Sequence, residues 1–192
     1  MPSHALRRWT GTSAEELDEM VRAHEAVGGK ERGRRYATKQ LNHAYVLLLA
    51  AAFQRFCRDL HTESVNFLLG SLKPKPGIET VLLAIASHGR QLDSRNATAQ
   101  AIAADFNPLG LRVLDDLKSR RASNAKRLAS LEQMNTWRNA VAHQDFSRKQ
   151  LIPAKLHLKT VGIWRRQCGI LAVDLDGVMK QHLDDLVGSP PW

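Results

Sequence analysis

The sequence predicts an all-α protein, a bundle of four main helices with short helices inserted in the middle. Apolar residues recur at intervals of three and four over several long segments, which is the period of an amphipathic helix. No stretch alternates apolar and polar residues as a strand does, and Gly- and Pro-rich stretches separate the helical segments. The 192 residues are enough for one domain with one sizeable core.

The N-terminal segment, residues 1–33, is predicted to contain one short helix. Residues 1–12 show no clear period and are expected to be irregular, whereas residues 13–27 are expected to be helical and to end at a glycine pair. The basic stretch at residues 30–39 follows. It fits either a solvated helix start or a nucleic-acid contact.

Residues 34–188 are predicted to form the main helical domain, and residues 189–192 a short C-terminal tail. The segment 34–69 is expected to be one long helix at the centre of the bundle, because residues 44–53 are apolar on nearly every side. The segment 158–187 keeps a helical period almost to the end of the chain. It is the second long helix.

Between these helices the sequence predicts shorter ones. Residues 78–87 and 98–106 are expected to be helical, separated from their neighbours by the turn sequences GSLKPKPG and NPLG. A further helical period begins at Leu111 and leads through a basic run to the stretch NTWRNAVAHQDF. The pattern does not indicate whether these inserted helices line a functional site.

Composition favours a polyanionic partner. The formal net charge is +9 and the sequence pI is near 10.0, which suits RNA, DNA or an anionic surface. The basic run before the stretch NTWRNAVAHQDF is the first place to expect contacts with RNA phosphates, although such a run is also typical of an exposed helix face. Its candidate RNA-binding residues are Lys118, Arg120, Arg121, Lys126 and Arg127.

Other classes of protein are disfavoured. Cys57 and Cys168 are far apart and no C-x-x-C pair occurs, so neither a zinc site nor a disulfide framework is expected. The longest apolar run is too short to span a bilayer, and the N-terminus lacks the apolar core of a signal peptide. We therefore expect a cytoplasmic protein with no membrane partner and no metal or other cofactor.

The stretch NTWRNAVAHQDF combines a buried face with a polar edge. On a helix of about 100° per residue, Trp137 and Val141 share an apolar face. Asn135, Asn139 and His143 follow one another at intervals of four, so they form a polar ladder beside that face. A ladder beside a core needs hydrogen-bond partners.

Arg138 and His143 are poorly placed to act together on one straight helix. They are five residues apart, so they point about 140° away from each other and stand roughly 7 to 8 Å apart along the axis. Either the helix ends or bends before His143, or two copies of the helix meet in one site. A purely structural role is the other interpretation, with His143 capping carbonyls and Arg138 covering apolar surface.

These residue types suit RNA cleavage without a metal ion. A base must take the proton from the ribose 2′-OH, an acid must protonate the leaving 5′-oxygen, and a cation must stabilise the charged phosphate. His143 is the candidate acid or base, and Arg138 the candidate phosphate stabiliser. Asn139 would orient the imidazole or contact the sugar or phosphate.

The spelling Arg-Asn-Ala-Val-Ala-His from Arg138 to His143 resembles the motif of the HEPN domains (higher eukaryote and prokaryote nucleotide-binding). In that motif an Arg, usually followed by a polar residue, precedes a His by four to six intervening residues. The stretch LNHAYVLLLAAAFQRFCRDLH is similar to the first long helix of the RiboL-PSP-HEPN branch. The resemblance covers residues 36–187. A second match, Arg55 to His61, is discounted because Phe56 follows the Arg.

The resemblance implies a HEPN-like bundle and a metal-independent endoribonuclease acting on single-stranded RNA. It implies a homodimer in which the two motifs face each other across a two-fold axis. It also implies a toxin, stress or phage-defence setting, with an antitoxin or regulatory protein as partner. Many family toxins carry Tyr two residues after the His, but Asp145 occupies that position here and is assigned no role.

Two other functions fit the same sequence. The first is a non-catalytic RNA-binding or ribosome-associated helical module, since some HEPN proteins have lost cleavage. The second is an interaction bundle whose dimer face is its purpose. Cleavage of RNA in EDTA separates the nuclease from both.

Overall fold

The computed structural model describes residues 1–28, 35–147 and 151–192. Helices make up most of this part of the chain, and it contains no strand, so the all-α prediction is confirmed. The predicted basic segment at residues 30–39 lies partly outside the described residues. The helices are α1 His4–Thr10, α2 Thr12–Gly28, α3 Arg35–Leu72, α4 Pro76–Ser87, α5 Gln91–Ser94, α6 Ala99–Phe106, α7 Val113–Arg120, α8 Asn124–Ala142 and α9 Leu158–Val187.

The long helix α3 is the centre of the molecule, as its apolar sequence predicts. It packs against α1, α2, α8 and α9, and the shorter helices α4, α5 and α6 also contact it. Apolar residues recur at intervals of three and four along α3, and they give the helix a broad buried surface that several neighbouring helices can contact. The largest of its buried side chains are Tyr45, Leu49, Phe53, Phe56 and Leu60.

The first twelve residues are not irregular, and this prediction is wrong. Ser3 caps α1, since its Oγ accepts a hydrogen bond from the backbone N–H of Leu6 at 2.9 Å. Trp9 is buried and meets Phe53 edge-on, with ring centroids 5.7 Å apart. The N-terminal helix therefore belongs to the same core as α3.

Both cysteines lie in this core. Cys57 on α3 and Cys168 on α9 are buried and free, and burial raises the pKa of each thiol above its ordinary value. None of the helices in the described ranges is long and apolar enough to cross a bilayer.

The Arg–His motif lies at the C-terminal end of α8, and the helices α8 and α9 are neighbours. They pack against each other and against α3, with the sulfurs of Met134 and Cys168 3.8 Å apart between them. The end of α8 thus meets the beginning of α3 and the segment 151–157 that leads into α9. Trp137 joins that segment, because its Nε1 donates to the carbonyl of Pro153 at 3.2 Å.

Candidate functional site

Helix α8 ends directly before His143. Ala142 is its last residue, and His143 is the C-cap, with φ −98° and ψ 1°. The helix ends before His143, as the first of the two alternatives requires, but the N–H of His143 still donates to the carbonyl of Asn139 at 3.0 Å, as it would within the helix. The second alternative, a site completed by another copy of the chain, therefore stays open. The side chain of His143 is exposed.

The chain reverses at the next residue. Gln144 has φ 53°, the left-handed conformation that commonly terminates helices. The N–H of Gln144 donates to Val141 at 3.3 Å, and the N–H of Asp145 donates to Ala140 at 3.0 Å. This hydrogen-bond pattern is a Schellman motif. It turns the chain towards α3 and leaves the imidazole of His143 on the corner.

Arg138 is half-buried and carries a charge that no carboxylate pairs with in the described part of the chain. It lies two turns beyond the buried Leu131 on nearly the same side of α8. Its Nη1 donates to Oδ1 of Asn139 at 3.2 Å. A positioned guanidinium without an acidic partner is suited to a phosphate.

Two residues of the polar ladder, Asn135 and Asn139, are hydrogen-bonded to the connection between α5 and α6. Asn135 donates from Nδ2 to the carbonyl of Ala97 at 3.0 Å, and Asn96 donates from Nδ2 to Oδ1 of Asn139 at 2.7 Å. Asn139 is therefore held between Asn96 and Arg138, and it positions the guanidinium. Sequence analysis missed Asn96, since nothing in its local pattern indicates a contact with a residue 43 positions away.

The second Arg–His match has a different environment. His61 is 3% exposed, and its Nε2 lies 3.1 Å from the carbonyl oxygen of Asp105. Burial, and then the charge of Arg90, lower the pKa of His61. Its ring stands edge-on to Phe106. His61 is a core residue, and its position supports discounting this match.

Two of the predicted RNA-binding arginines share one carboxylate partner within the chain. Arg121 makes two hydrogen bonds to the carboxylate of Asp174 on α9, at 3.0 and 3.3 Å, and Arg120 lies 3.5 Å from the same carboxylate. Asp174 is buried and also accepts from Nδ2 of Asn124 at 2.9 Å. Both arginines therefore neutralise the buried charge of Asp174.

The other predicted RNA-binding residues lie on α7 and at the beginning of α8. Lys118 stands 4.0 Å from Asp115, and Arg127 donates to Ser123 and Asn124. Lys126 is exposed. It precedes Arg138 by twelve residues, which is about 18 Å along the helix axis. The structure does not bring the basic run and the Arg–His motif together.

A cavity of about 740 Å³ opens beside Trp137. It is lined by the beginning of α3, by Trp137 and Phe146, and by residues of the segment 151–157. His43 of α3 stacks on Phe146, with ring centroids 5.3 Å apart and planes inclined by 22°. Sequence analysis did not identify this cavity, because its walls come from three distant parts of the chain.

No group of three or more His, Cys, Asp or Glu residues in the described ranges is arranged to hold a metal ion. The fold and the motif together describe an α-helical molecule in which α8 carries a half-buried guanidinium at Arg138 and ends at the exposed imidazole of His143. No family model matches the chain, and neither a curated protein nor a solved structure matches it.

Proposed function

We propose that this protein is a metal-independent endoribonuclease of HEPN type that cleaves single-stranded RNA at a site shared between two copies of the chain. One observation carries the proposal. Arg138 is held by Asn139 with no carboxylate partner in the described residues, and His143 stands exposed at the end of the same helix. A fixed cation and an accessible imidazole are the two groups that this reaction requires from each chain.

Each residue has a distinct part in the reaction. Arg138 binds the phosphate oxygens and stabilises the charge that develops as the 2′-oxygen attacks. His143 transfers protons, because imidazole gains and loses a proton near neutral pH. Asn139 acts through Arg138, whose guanidinium it orients, and Asn96 holds Asn139 in place. Asn139 and Asn96 are therefore positioning residues.

The need for both a base and an acid favours a homodimer. The motif supplies one imidazole per chain, whereas the reaction removes one proton from the 2′-OH and gives another to the 5′-oxygen. A two-fold axis near the end of α8 would bring a second His143 to the same phosphate. Such a nuclease would require control in the cell. This favours a toxin, stress or phage-defence role with an antitoxin or regulatory protein as partner.

The decisive experiment is cleavage of a labelled single-stranded RNA in the presence of EDTA. Wild-type protein is expected to cut, and His143→Ala and Arg138→Ala are each expected to lower the rate by at least about 100-fold, since acid–base catalysis and charge stabilisation each contribute that much. Matched controls are His88→Ala, at the exposed end of α4, and Arg55→Ala, on the exposed side of α3. Both should cut like wild type.

Two results would contradict the proposal. One is wild-type protein that leaves RNA intact at every salt concentration and length of RNA tested. The other is full cleavage by His143→Ala, which would point to a contaminating nuclease.

The net charge of +9 favours a second candidate, a non-catalytic RNA-binding or ribosome-associated module. In that case RNA binds without being cut, binding weakens steeply as salt rises, and His143→Ala binds as tightly as wild type. Loss of binding on removal of Arg120 or Arg121 would not by itself support this candidate, because both arginines also neutralise Asp174.

A further inference from the structure

The helix α4 is apolar and yet exposed. Its sequence, PGIETVLLAIAS, contains one charged residue, Glu79. Of the eleven large hydrophobic side chains that are exposed in the described residues, five lie between positions 72 and 85. Leu72, Ile78, Val81 and Ile85 are each between 53% and 70% exposed. An apolar surface of this kind marks a contact with another protein or with a membrane.

A groove between α4 and the end of α3 extends this surface. It has a volume of about 460 Å³ and is lined mainly by aliphatic side chains of the two helices, including the exposed Leu72 and Ile85. Asp105 is the acidic residue among the described residues that line it. Its carboxylate is turned into the fold, because it accepts from the N–H groups of Gln91 and Leu92 at 2.7 and 2.9 Å. The groove thus adds apolar area to the exposed face of α4.

Two lysines stand at the N-terminal end of α4. Lys73 directly follows α3 and has φ 47°, so the chain turns sharply there towards α4. Lys73 and Lys75 are exposed, and neither pairs with a carboxylate of the described residues. Glu79 is the single acidic residue between positions 72 and 87. The apolar surface therefore has a positively charged edge, which is complementary to an anionic partner.

The exposed apolar side chains surround much of α4. Ile78, Val81 and Ile85 lie within about 60° of one another around the helix axis, whereas Leu83 points about 140° away from Ile78. Leu83 is also exposed. A partner helix contacts one apolar stripe and would leave Leu83 in water. A helix that is apolar on several sides instead suits a lipid environment, so the distribution favours a membrane surface.

We propose that α4 binds the surface of an anionic lipid bilayer, with its exposed apolar side chains among the upper acyl chains and with Lys73 and Lys75 at the lipid phosphates. The 12 residues of α4 span about 18 Å, which is less than the hydrocarbon core of about 30 Å. The helix therefore lies in the plane of the interface. The sequence-based expectation of no membrane partner rests on the lack of a spanning segment, which a surface contact does not need.

A second copy of the chain fits this surface less well. Two α4 helices in contact would bring the lysines of both chains together, with no carboxylate other than Glu79 between positions 72 and 87 of each. Lipid phosphates instead supply an anion to each lysine, and every lysine near an anionic bilayer strengthens binding. Charge thus favours lipid over self-association.

The proposed membrane contact lies far from the Arg–His motif. His43 of α3 is beside Trp137 of α8, with ring centroids 6.3 Å apart. Leu72 follows His43 by 29 residues, which is about 43 Å along α3. The contact therefore involves a different part of the molecule from Arg138 and His143. It goes beyond the proposed nuclease and does not depend on it.

Flotation with lipid vesicles tests the proposal on the full chain. Wild-type protein is expected to float with vesicles of phosphatidylcholine mixed with phosphatidylglycerol, and to stay in solution with vesicles of phosphatidylcholine alone. The double variant Val81→Ser, Ile85→Ser is expected to bind the anionic vesicles at least about tenfold more weakly, because two apolar side chains no longer leave water. The matched control Val173→Ser, Leu186→Ser changes two exposed apolar residues of α9 and should bind like wild type.

A second pair of variants separates a localised contact from adsorption by net charge. Lys73→Gln, Lys75→Gln is expected to weaken binding by about fivefold or more, because the attraction of each lysine to the lipid phosphates is lost. The matched control Lys126→Gln, Lys159→Gln removes the same charge from exposed positions on α8 and α9. It should keep most of the wild-type affinity.

A fluorescent label reports whether α4 enters the lipid. Cys57 and Cys168 are buried, so a thiol-reactive, environment-sensitive dye labels Val81→Cys at one position. Its emission is expected to shift to shorter wavelength when anionic vesicles are added. The same dye on Leu186→Cys, an exposed position of α9, should not respond.

Three results would overturn the proposal. One is wild-type protein that binds anionic vesicles no more tightly than neutral ones. Another is an equal loss of binding in the α4 variants and their controls, which would indicate adsorption by net charge. The third is an oligomer in light scattering that dissociates in Val81→Ser, Ile85→Ser, which would assign α4 to a contact between copies. The α4 variants should cleave RNA like wild type, so the nuclease proposal keeps its own test.

Discussion

Gln144 determines where the imidazole of the site stands. It follows His143 and occupies the left-handed position of the helix cap, with φ 53°, where glycine is the usual residue. Its Nε2 also donates to the carbonyl of Val141 at 2.9 Å, which offsets part of the conformational cost. The exposed corner at His143 therefore depends on a residue outside the motif.

Substitutions at Gln144 should follow this backbone requirement. Gln144→Gly is expected to be at least as stable as wild type, because glycine adopts positive φ without steric cost. Gln144→Val is expected to lower the free energy of unfolding by at least about 1 kcal/mol relative to Gln144→Gly, since a β-branched side chain is strongly disfavoured there. Urea unfolding of the two variants measures the difference. Equal stabilities would show that the left-handed cap does not form.

At the residue scale, sequence reasoning succeeded where the information was local. The spacing of Arg138 and His143 was visible in the sequence, and α8 does end before His143, as one of the two geometric alternatives requires. The roles of Asn96 and Asn42 could not be predicted from the sequence. Asn96 bonds to Asn139, 43 positions away, and Asn42 bonds to Leu156, 114 positions away. Those partners follow from packing, which local pattern does not encode.

Among the elements, Asp174 explains why two arginines stand at the junction of α7 and α8. It is buried on α9, where an unpaired carboxylate would be very costly. Burial would raise the pKa of Asp174, but the hydrogen bonds from Arg121 and Asn124 and the charges of Arg121 and Arg120 outweigh burial and lower it. Two arginines of the basic run that suggested RNA contacts, together with Asn124, thus link α7 and α8 to α9.

The lowered pKa of Asp174 makes a prediction about acid stability. Above the ordinary pKa of an aspartate, about 3.9, the carboxylate is charged in both states and its ion pairs stabilise the folded protein. As pH falls through the lower folded pKa, the carboxylate is protonated and that stabilisation is lost. Asp174→Asn should therefore be less stable than wild type at pH 6, by about 1–3 kcal/mol. The difference should shrink towards pH 3.

Urea unfolding of both proteins at several pH values measures this convergence. Asp185→Asn, which changes an exposed carboxylate on α9, is the matched control and should track wild type throughout. A constant difference between Asp174→Asn and wild type across the acid range would exclude a charge-dependent role for Asp174.

Helix α1 shows why the first twelve residues were predicted incorrectly. Its first N–H groups are satisfied by carboxylates from elsewhere, since Glu63 accepts from His4 and Ala5 at 2.8 and 3.1 Å. Asp176 accepts from the N–H of Ser3 at 3.1 Å. Seven residues form a marginal helix in isolation. The stability of α1 comes from α3 and α9, so its own sequence carries only a weak signal.

For the whole molecule, the helical period was sufficient to predict the class and the central position of α3. Both follow from the distribution of apolar residues along single helices, which is a local property. The period does not specify which helices pack together or which end of the bundle carries a site. In the structure Trp137 lines the cavity at the beginning of α3, whereas neither Arg138 nor His143 does, and Lys126 lies about 18 Å from Arg138 along α8.

A site shared between two chains makes a prediction about mixed dimers. If wild-type and His143→Ala chains are co-expressed in equal amounts, random pairing gives about one quarter of dimers with two intact histidines. Should each phosphate need His143 from both chains, cleavage per chain falls to about one quarter of wild type, whereas independent sites give about one half. We expect the mixed preparation to cleave RNA in EDTA at about one quarter of the wild-type rate per chain. Two different affinity tags on the two kinds of chain allow the mixed dimers to be purified and measured separately as a reference.

Light scattering of the same preparation should give a mass of twice the 21.5 kDa of one chain. A rate near one half, or the mass of a single chain in an active protein, would show that one copy of the motif is enough, and His143 would then need a second acid from its own chain.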